Sequence, residues 1–346
     1  MTTHSAYNAL ATAHVGNYRL LARLLREHLS WEQAFASSLP GQERWAEEIF
    51  SDCQSQGIKL ILATDPDYPL LLHEMPFAPH GMYMLGCLPV AQPCVAIVGT
   101  RRAGSEGKAT AARFASAYAR AGVPVVSGLA FGIDYAAHEA ALAARGTTIA
   151  VLASGLDSIT PRSNTRLGRS IYESGGALVS EYPINTPTQP HFFLERNRIV
   201  SGLSKGVVVI EAPARSGTLA TARFAIDQNR EVFVVPGSIT NDHYAGSHTL
   251  IRGGATLVTA PEDTFETLGI TASEAGAATH AQLAPFLDLE EQRIVELLHT
   301  ESYLTADAIS IRLQMTSPAV SRALGSLLLA AIIIEDGPNY RIAPIA

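Results

Sequence analysis

Seven short apolar runs that alternate with helical stretches constrain the fold of this chain most strongly. Because the runs are apolar on both faces and helices separate them, they predict a parallel sheet with helices on both sides. Strands are expected over residues 95–98, 123–127, 148–152, 177–180, 206–211, 231–235 and 256–258. Helices are expected over residues 105–121, 132–145, 164–174, 217–229 and 261–268. The expected fold is therefore α/β, a doubly wound Rossmann-like sheet, and such sheets bind ligands beyond the carboxyl ends of their strands.

Both ends of the chain show helical patterns outside this sheet. Residues 1–55 carry apolar residues at helical spacing, interrupted at Pro40-Gly41, and predict a small helical domain of two or three helices. The sheet domain is then expected over 56–270. A linker of small and polar residues is expected over 271–285, and a winged-helix domain over 286–346.

The winged-helix prediction depends on three helical patterns and a hairpin. The helices are expected over 288–299, 305–313 and 317–330. Residues 332–334 and 340–342 are expected to pair across the turn at Asp336-Gly337. Helices followed by such a hairpin are typical of a winged helix.

Composition excludes several classes of protein. Met1–Leu10 lacks the basic-then-apolar pattern of a signal peptide, and the apolar run Leu327–Ile334 is far shorter than a membrane span. Cys53, Cys87 and Cys94 are odd in number and lack metal-ligand spacing, which indicates reduced thiols. A cytoplasmic protein is expected, with no membrane segment, no metal and no cofactor.

The charge of the chain is unevenly distributed. The formal net charge is −7, yet residues 101–230 hold 15 Lys and Arg against 9 Asp and Glu. This basic excess coincides with the loops described below, as expected where phosphates bind, although ordinary scatter is the alternative. Residues 281–346 hold 4 basic and 8 acidic residues, so the C-terminal domain is not expected to bind phosphates strongly.

The segment Gly99-Thr100-Arg101-Arg102 lies between an expected strand and an expected helix. Glycine allows close approach to a phosphate, the helix N-terminus offers free N–H groups, and Thr100 and Arg101 add a hydroxyl and a guanidinium fork. The spacing fits neither the dinucleotide fingerprint nor a P-loop. From the residues alone, a phosphate site and a plain tight turn both remain open.

A second loop at a strand end is Ser127-Gly128-Leu129-Ala130-Phe131-Gly132. Phe131 could stack on a base, or it could fold back onto the sheet. Asp134 and His138, four residues apart on the next helix, could form an acid–base or metal pair. Capping by Asp134 and packing of His138 is the expected alternative.

Two further segments have polar residues suited to nucleic acid. Arg196-Asn197-Arg198 precedes an apolar strand, and arginine forks suit phosphate oxygens while asparagine offers a donor and an acceptor. Ser216-Gly217-Thr218 begins an expected helix and predicts a second anion-binding helix N-terminus.

These segments together resemble the DNA-processing protein A (DprA) family. The resemblance rests on five motifs in family order, at Val95–Arg102, Val125–Asp134, Gln189–Ser204, Ser216–Ala222 and Arg230–Gly237. It implies a single-stranded-DNA-binding protein that protects incoming DNA in natural transformation, loads RecA and forms a homodimer through the sheet domain. It also implies a sterile-alpha-motif-like N-terminal domain and places Asn164 in the DNA pocket. The chain departs from the family at Thr160-Pro161, where a tyrosine usually precedes the proline.

The alternative is a small-nucleotide hydrolase or a nucleotide-sensing domain on the same fold. The related nucleoside-monophosphate phosphoribohydrolases have a Pro-Gly-Gly-x-Gly-Thr-x-x-Glu loop. Aligned on Gly217-Thr218, their catalytic glutamate falls on Thr221, which cannot replace a carboxylate. The sequence therefore predicts binding without catalysis.

Overall fold

A computed structural model of the protein describes residues 1–89, 93–270, 288–301, 304–329 and 333–342. The chain divides into two compact units, Met1–Ser273 and Glu274–Ala346. The linker expected over 271–285 lies outside the described residues.

The N-terminal helices belong to the first unit. They are α1 (Thr3–Ala13), α2 (Tyr18–His28), α3 (Trp31–Ser38) and α4 (Glu43–Ser55). Thr2, Asn17 and Ser30 start the first three helices, since each side chain accepts a hydrogen bond from a backbone N–H of the first turn. The helices pack on the sheet, where the Tyr83 hydroxyl donates to Asn8 Oδ1 over 2.8 Å. A domain boundary at residue 55 and a sterile-alpha-motif-like fold stay predictions.

A nine-stranded sheet forms the centre of this unit, with the order β1-β2-β6-β5-β4-β3-β7-β8-β9. Its strands are β1 (Lys59–Leu62), β2 (Gly81–Gly86), β3 (Val95–Val98), β4 (Val125–Ser127), β5 (Thr148–Val151), β6 (Ala177–Ser180), β7 (Gly206–Val209), β8 (Glu231–Val234) and β9 (Thr256–Leu257). Strands β3 to β9 are parallel, whereas β1 and β2 pair in antiparallel fashion at one edge. The seven parallel strands and the α/β fold are confirmed; the antiparallel pair was not predicted.

Alternate residues of the central strands pack into different hydrophobic cores, one on each face of the sheet. Val95 and Ile97 pack with Phe114 on one face of the sheet, and Val98 packs with Ile199 on the other. Burial on both faces explains the uniformly apolar strands. The chain order of the strands reverses direction between β3 and β7, so the topological switch point of the sheet lies between their carboxyl ends.

Eight further α-helices accompany the sheet among the described residues of this unit. They are α5 (Leu70–His73), α6 (Ser105–Arg120), α7 (Ile133–Ala143), α8 (Thr165–Glu173), α9 (Pro190–Gly202), α10 (Gly217–Asp227), α11 (Ala245–Arg252) and α12 (Phe265–Leu268). Helix α9 was not predicted, and it contains the Arg196-Asn197-Arg198 segment. Pro190 lies in its first turn, a position where the missing N–H costs nothing.

The second unit contains three helices and a small sheet among its described residues. The helices are α13 (Leu289–Thr300), α14 (Ala306–Leu313) and α15 (Ser317–Leu329), and the strands are β10 (Leu304–Thr305), β11 (Ile333–Asp336) and β12 (Asn339–Ile342). Its core includes Ile294, Ile309 and Leu327. Strands β11 and β12 pair as the expected hairpin. The winged-helix assignment stays a prediction.

Within the ranges that the structure describes, every helix is too short or too polar to cross a membrane.

Candidate nucleic-acid interface

The loops that follow β3, β4 and β7 meet at the carboxyl edge of the sheet. Thr100 lies in the first loop, and its backbone N–H donates to the Glu211 carbonyl after β7 over 2.8 Å. The Ile133 N–H donates to the Thr100 carbonyl over 3.3 Å, which attaches the start of α7 to the same loop. Three segments distant in sequence are therefore held together at the switch point.

Arg101 is an exposed cation at this edge. Its Cζ lies 4.6 Å from the ring centroid of Phe193 on α9, which is cation–π geometry. Arg102 is also exposed, and its N–H donates to Thr100 Oγ1 over 3.2 Å. Gly99 has no room for a side chain, because a Cβ there would overlap Ile133. The loop thus presents guanidinium groups to solvent on a tightly packed backbone.

The first turn of α6 faces a carboxylate of the protein itself. Glu211 is buried, and a Cβ at Gly107 would collide with its Oε2. The same carboxylate pairs with His243, which is partly exposed. Negative charge is favourable near a helix N-terminus. The Glu211 carboxylate therefore already lies where the sequence predicted that a bound phosphate would be stabilised by α6.

The loop after β4 holds Phe131 in an exposed position. The Asp134 carboxylate accepts from the N–H groups of Gly128 and Ala130 over 3.1 and 3.3 Å. Gly132 has φ +77° and faces the Thr100 backbone, where a Cβ would not fit. Phe131, between these anchors, is 50% exposed. Ser127 is buried and donates to the Ile97 carbonyl over 2.7 Å, so its hydroxyl supports the loop.

Asp134 and His138 do not form a pair with each other. The Nδ1 of buried His138 lies 2.7 Å from Thr148 Oγ1. Burial, with a smaller effect of Arg196, lowers the pKa of His138 to about 3, so the ring is neutral at physiological pH. Burial raises the pKa of Asp134 against the opposing charge of Arg196. The described residues contain no cluster of three metal-ligating groups.

Arg196 lies inside the protein. Only 4% of it is exposed, and its Nη1 donates to the carbonyls of Gly128, over 2.7 Å, and of Val151. A Cβ at Gly128 would overlap the guanidinium, which explains the glycine. Burial lowers the pKa of Arg196 to about 10, well above physiological pH, so the charge persists.

Arg198 is also buried and forms an ion pair with Glu181. Its Cζ lies 5.0 Å from the Tyr18 ring centroid. The two arginines that the sequence assigned to phosphate therefore offer no exposed guanidinium in this structure. Asn197, between them, is half-buried and donates to the Gly217 carbonyl over 3.3 Å.

Asn164 is buried beneath the edge. Its Nδ2 donates to the Leu129 carbonyl over 2.9 Å, which connects the turn at 162–164 to the Phe131 loop.

Ser216 begins α10, and its Oγ accepts from the Thr218 N–H over 3.2 Å. Thr221 is buried and its hydroxyl donates to the Gly217 carbonyl over 3.5 Å. No carboxylate stands at that position of α10.

Sequence reasoning missed two contributors to this surface. Phe193 was not predicted as a site residue, because its contact with Arg101 joins residues far apart in sequence. An open cleft of about 940 Å³ between α6 and α7 was also missed, and Lys108 and Tyr135 line it beside Arg101, Phe131 and Asn164.

Comparison with known proteins gives a consistent match over the sheet region. Residues 59–269 match the family model described as DNA recombination-mediator protein A. The chain is 51% identical over 174 residues to Protein Smf of Escherichia coli, covering 50% of this chain and 46% of that protein. It is 38% identical over 222 residues to DNA processing protein DprA of Bacillus subtilis, covering 64% and 74% respectively. The chain thus spans about half the length of the E. coli relative and most of the B. subtilis one.

Two solved structures are similar in fold. DNA processing protein A of Streptococcus pneumoniae matches with a TM-score of 0.66 and 33% identity, covering 77% of this chain and 98% of that one. DNA processing protein A of Helicobacter pylori, described for its single-stranded-DNA binding mode, matches with a TM-score of 0.55 and 29% identity, covering 61% and 95%.

Proposed function

Because the chain belongs to the DNA recombination-mediator protein A family, we propose that it binds single-stranded DNA at the carboxyl edge of its sheet, protects it and delivers it to RecA. The observation that carries this proposal is exposed Arg101, held on the ring of partly buried Phe193 beside half-exposed Phe131. These groups provide a cation for a phosphate and aromatic faces for bases.

The chemistry of the site follows from its exposed groups. Arg101 donates charge-assisted hydrogen bonds to a phosphate, with Arg102 and Lys108 adding positive charge nearby. Phe131 stacks on a base, which every base permits because each has a π-face. Little sequence discrimination is expected, since backbone contacts and stacking do not read base edges.

The residues predicted for the site divide into two roles under this proposal. Arg101, Arg102 and Phe131 contact DNA, and the helix start at Ser216, Gly217 and Thr218 borders them. Thr100 is buried and supports the loop by accepting from the Arg102 N–H. The buried and partly buried groups position these loops. They are Gly99, Ser127, Gly128, Gly132, Asn164, Arg196, Asn197 and Arg198.

Binding without catalysis is the second part of the proposal. The hydroxyl of Thr221 occupies the place where the related hydrolases have a carboxylate, and it is directed at its own helix. Incubation with nucleoside monophosphates is expected to release no base. Base release that is lost when residues at this edge of the sheet are substituted would support the hydrolase alternative.

RecA delivery and homodimer formation through the sheet domain belong to the same proposal, as does action in the cytoplasm, where RecA is found. The expected result is that the protein stimulates the RecA ATPase on single strands coated with single-strand-binding protein. A mass of twice 36.8 kDa is expected in sedimentation at micromolar concentration. A monomer at such concentrations would contradict the dimer.

The decisive experiment compares strand types. Fluorescence anisotropy of a labelled oligonucleotide, as a single strand and as a duplex of equal length, is measured over a series of salt concentrations. The single strand is expected to bind more tightly, because loops around exposed aromatic rings suit unstacked bases. Equal or tighter binding of the duplex would contradict the proposal.

A further inference from the structure

A second cleft combines aromatic and arginine side chains away from the sheet loops. It has a volume of about 460 Å³, and it lies between α2 and the segment that precedes β2. Tyr18, Arg19 and Arg26 line it from α2, and Phe77 and His80 line it from the other side. The cleft faces solvent and lies within the first compact unit.

Phe77 is the most unusual residue of this cleft. It is 65% exposed, and its φ of +57° places a bulky side chain in the left-handed region. Its ring meets that of Tyr18 edge to face, with the centroids 6.0 Å apart. Left-handed backbone at a bulky residue is strained, and such strain persists mainly where a site requires it. The strain holds an aromatic face in solvent.

The arginines of the cleft lack acidic partners. Among the described residues, neither Arg19 nor Arg26 forms an ion pair with a carboxylate, although Arg23 on the same helix pairs with Glu27 at 3.9 Å. Arg26 donates only its Nε, to the carbonyl of Ala22 over 3.3 Å. Arg19 lies beside Tyr18, with Cζ 5.8 Å from the ring centroid. Two guanidinium groups therefore remain available for an anionic ligand.

The cleft is joined to the carboxyl edge by a continuous set of contacts. Phe193 stacks with Arg101, and its neighbour Phe192 packs so closely under Gly16 that a Cβ there would overlap the ring. Gly16 lies in the turn that leads into Tyr18 at the start of α2. The N-terminal end of α9 thus lies between the two surfaces.

From this arrangement we propose that the α2 cleft is a second binding site for the same single strand, taking a base against exposed Phe77 beside Tyr18 and its phosphates at Arg19 and Arg26. The inference deepens the proposed function and rests on it. Flat rings beside free guanidinium groups favour nucleotides over an acidic peptide, which would use the arginines but not the ring faces.

The test compares oligonucleotides of two lengths. A six-residue oligothymidine is short enough to be held at the carboxyl edge, whereas a twenty-residue one can reach both sites. The double variant Arg19→Ala, Arg26→Ala is expected to weaken binding of the long strand about tenfold and to change the short strand less than twofold. Its salt slope for the long strand is expected to fall by about 1.4, since each phosphate contact on a single strand contributes about 0.7.

Two further variants separate binding from folding. The matched control is Arg23→Ala, Arg44→Ala, which removes two exposed arginines that already pair with Glu27 and Glu48. It is expected to leave binding of both lengths unchanged. Phe77→Gly relieves the left-handed strain, so it is expected to keep or raise the melting temperature while it weakens binding of the long strand.

The outcomes distinguish this inference from the proposed function. If the wild-type protein binds both lengths and the cleft variant binds each of them as tightly as the wild type does, the second site alone is overturned. Wild-type protein that binds neither length overturns the proposed function and this inference together. Competition by an oligoglutamate peptide as effective as that by an oligonucleotide of equal charge would overturn the assignment to nucleic acid.

Discussion

The loop after β3 and helix α9 both bring arginine to the carboxyl edge of the sheet, and they use it in opposite ways. Arg101 is exposed and stacks on Phe193. Arg196 is 4% exposed, and its donors go to backbone carbonyls at the ends of β4 and β5. One guanidinium is available to a ligand, and the other holds together the loops around the ligand site. Residue type alone does not separate binding from positioning, whereas burial does.

The largest expected effect tests the buried side of this comparison. Arg196→Ala removes the partner of two carbonyls and leaves the Asp134 carboxylate buried without a countercharge. The free energy of unfolding is expected to fall by about 3–5 kcal/mol, because two buried carbonyl acceptors lose their donor at about 1–3 kcal/mol each and the buried charge opposite Asp134 is lost. Urea unfolding followed by circular dichroism measures it. If the variant is as stable as wild type but binds DNA poorly, Arg196 contacts DNA and does not act by holding the loops.

The exposed side is tested by Arg101→Ala. We expect the binding free energy for a single strand to weaken by about 1.5–3 kcal/mol, the contribution of charge-assisted hydrogen bonds, with stability unchanged. The control is Arg120→Ala, at the far end of α6 and about 22 Å from its first residue by helix rise. Affinity within twofold of wild type for Arg101→Ala would show that the phosphate site lies elsewhere.

A smaller effect is expected from the glycine that accommodates Arg196. In Gly128→Ala the new methyl group meets the guanidinium, and overpacking is expected to lower the free energy of unfolding by about 1–3 kcal/mol. Gly217→Ala is the matched control at the same edge, where the nearest atom to a Cβ is Leu194 Cδ2 at 3.9 Å. Thermal unfolding of both variants shows whether the loss depends on contact with Arg196.

The smallest effect is expected from removing the second compact unit. Its charge is negative, with 4 basic and 8 acidic residues over 281–346, and an acidic surface repels phosphates. Truncation after residue 275 is expected to leave single-strand affinity within twofold of the full chain in an anisotropy titration. A large loss in a fragment that keeps its helical circular dichroism would give this unit a direct part in binding.

The parallel sheet could be predicted because each of its central strands is apolar on both faces and followed by a turn. β3 spans Val95–Val98, as expected. The antiparallel strands β1 and β2 could not be predicted in the same way, since the helix between them, α5, has four residues and is too short to show helical periodicity. Helix α9 was missed because Arg196 and Arg198 face inward, which interrupts the apolar stripe that identifies a helix.

The candidate site was predictable in position and less so in role. The strand ends identified loops that the structure brings together, since carboxyl ends of parallel strands share an edge. The exposure of Phe131 depends on hydrogen bonds from Gly128 and Ala130 to Asp134, and the stack of Arg101 on Phe193 joins separate motifs. The exposure of Phe131 and the position of Arg101 therefore arise from tertiary contacts, which local sequence does not encode.

The pairing of β3 with β7 also determines when the binding edge can exist. Val95–Val98 is made early in synthesis, but its neighbour Gly206–Val209 and the Ser216 loop follow more than a hundred residues later. Until they emerge from the ribosome, β3 can pair with β4 alone, and its other side is an unpaired, wholly apolar sheet edge that is prone to pair with other chains. The nascent protein therefore passes through an aggregation-prone stage before the carboxyl edge of its sheet is complete.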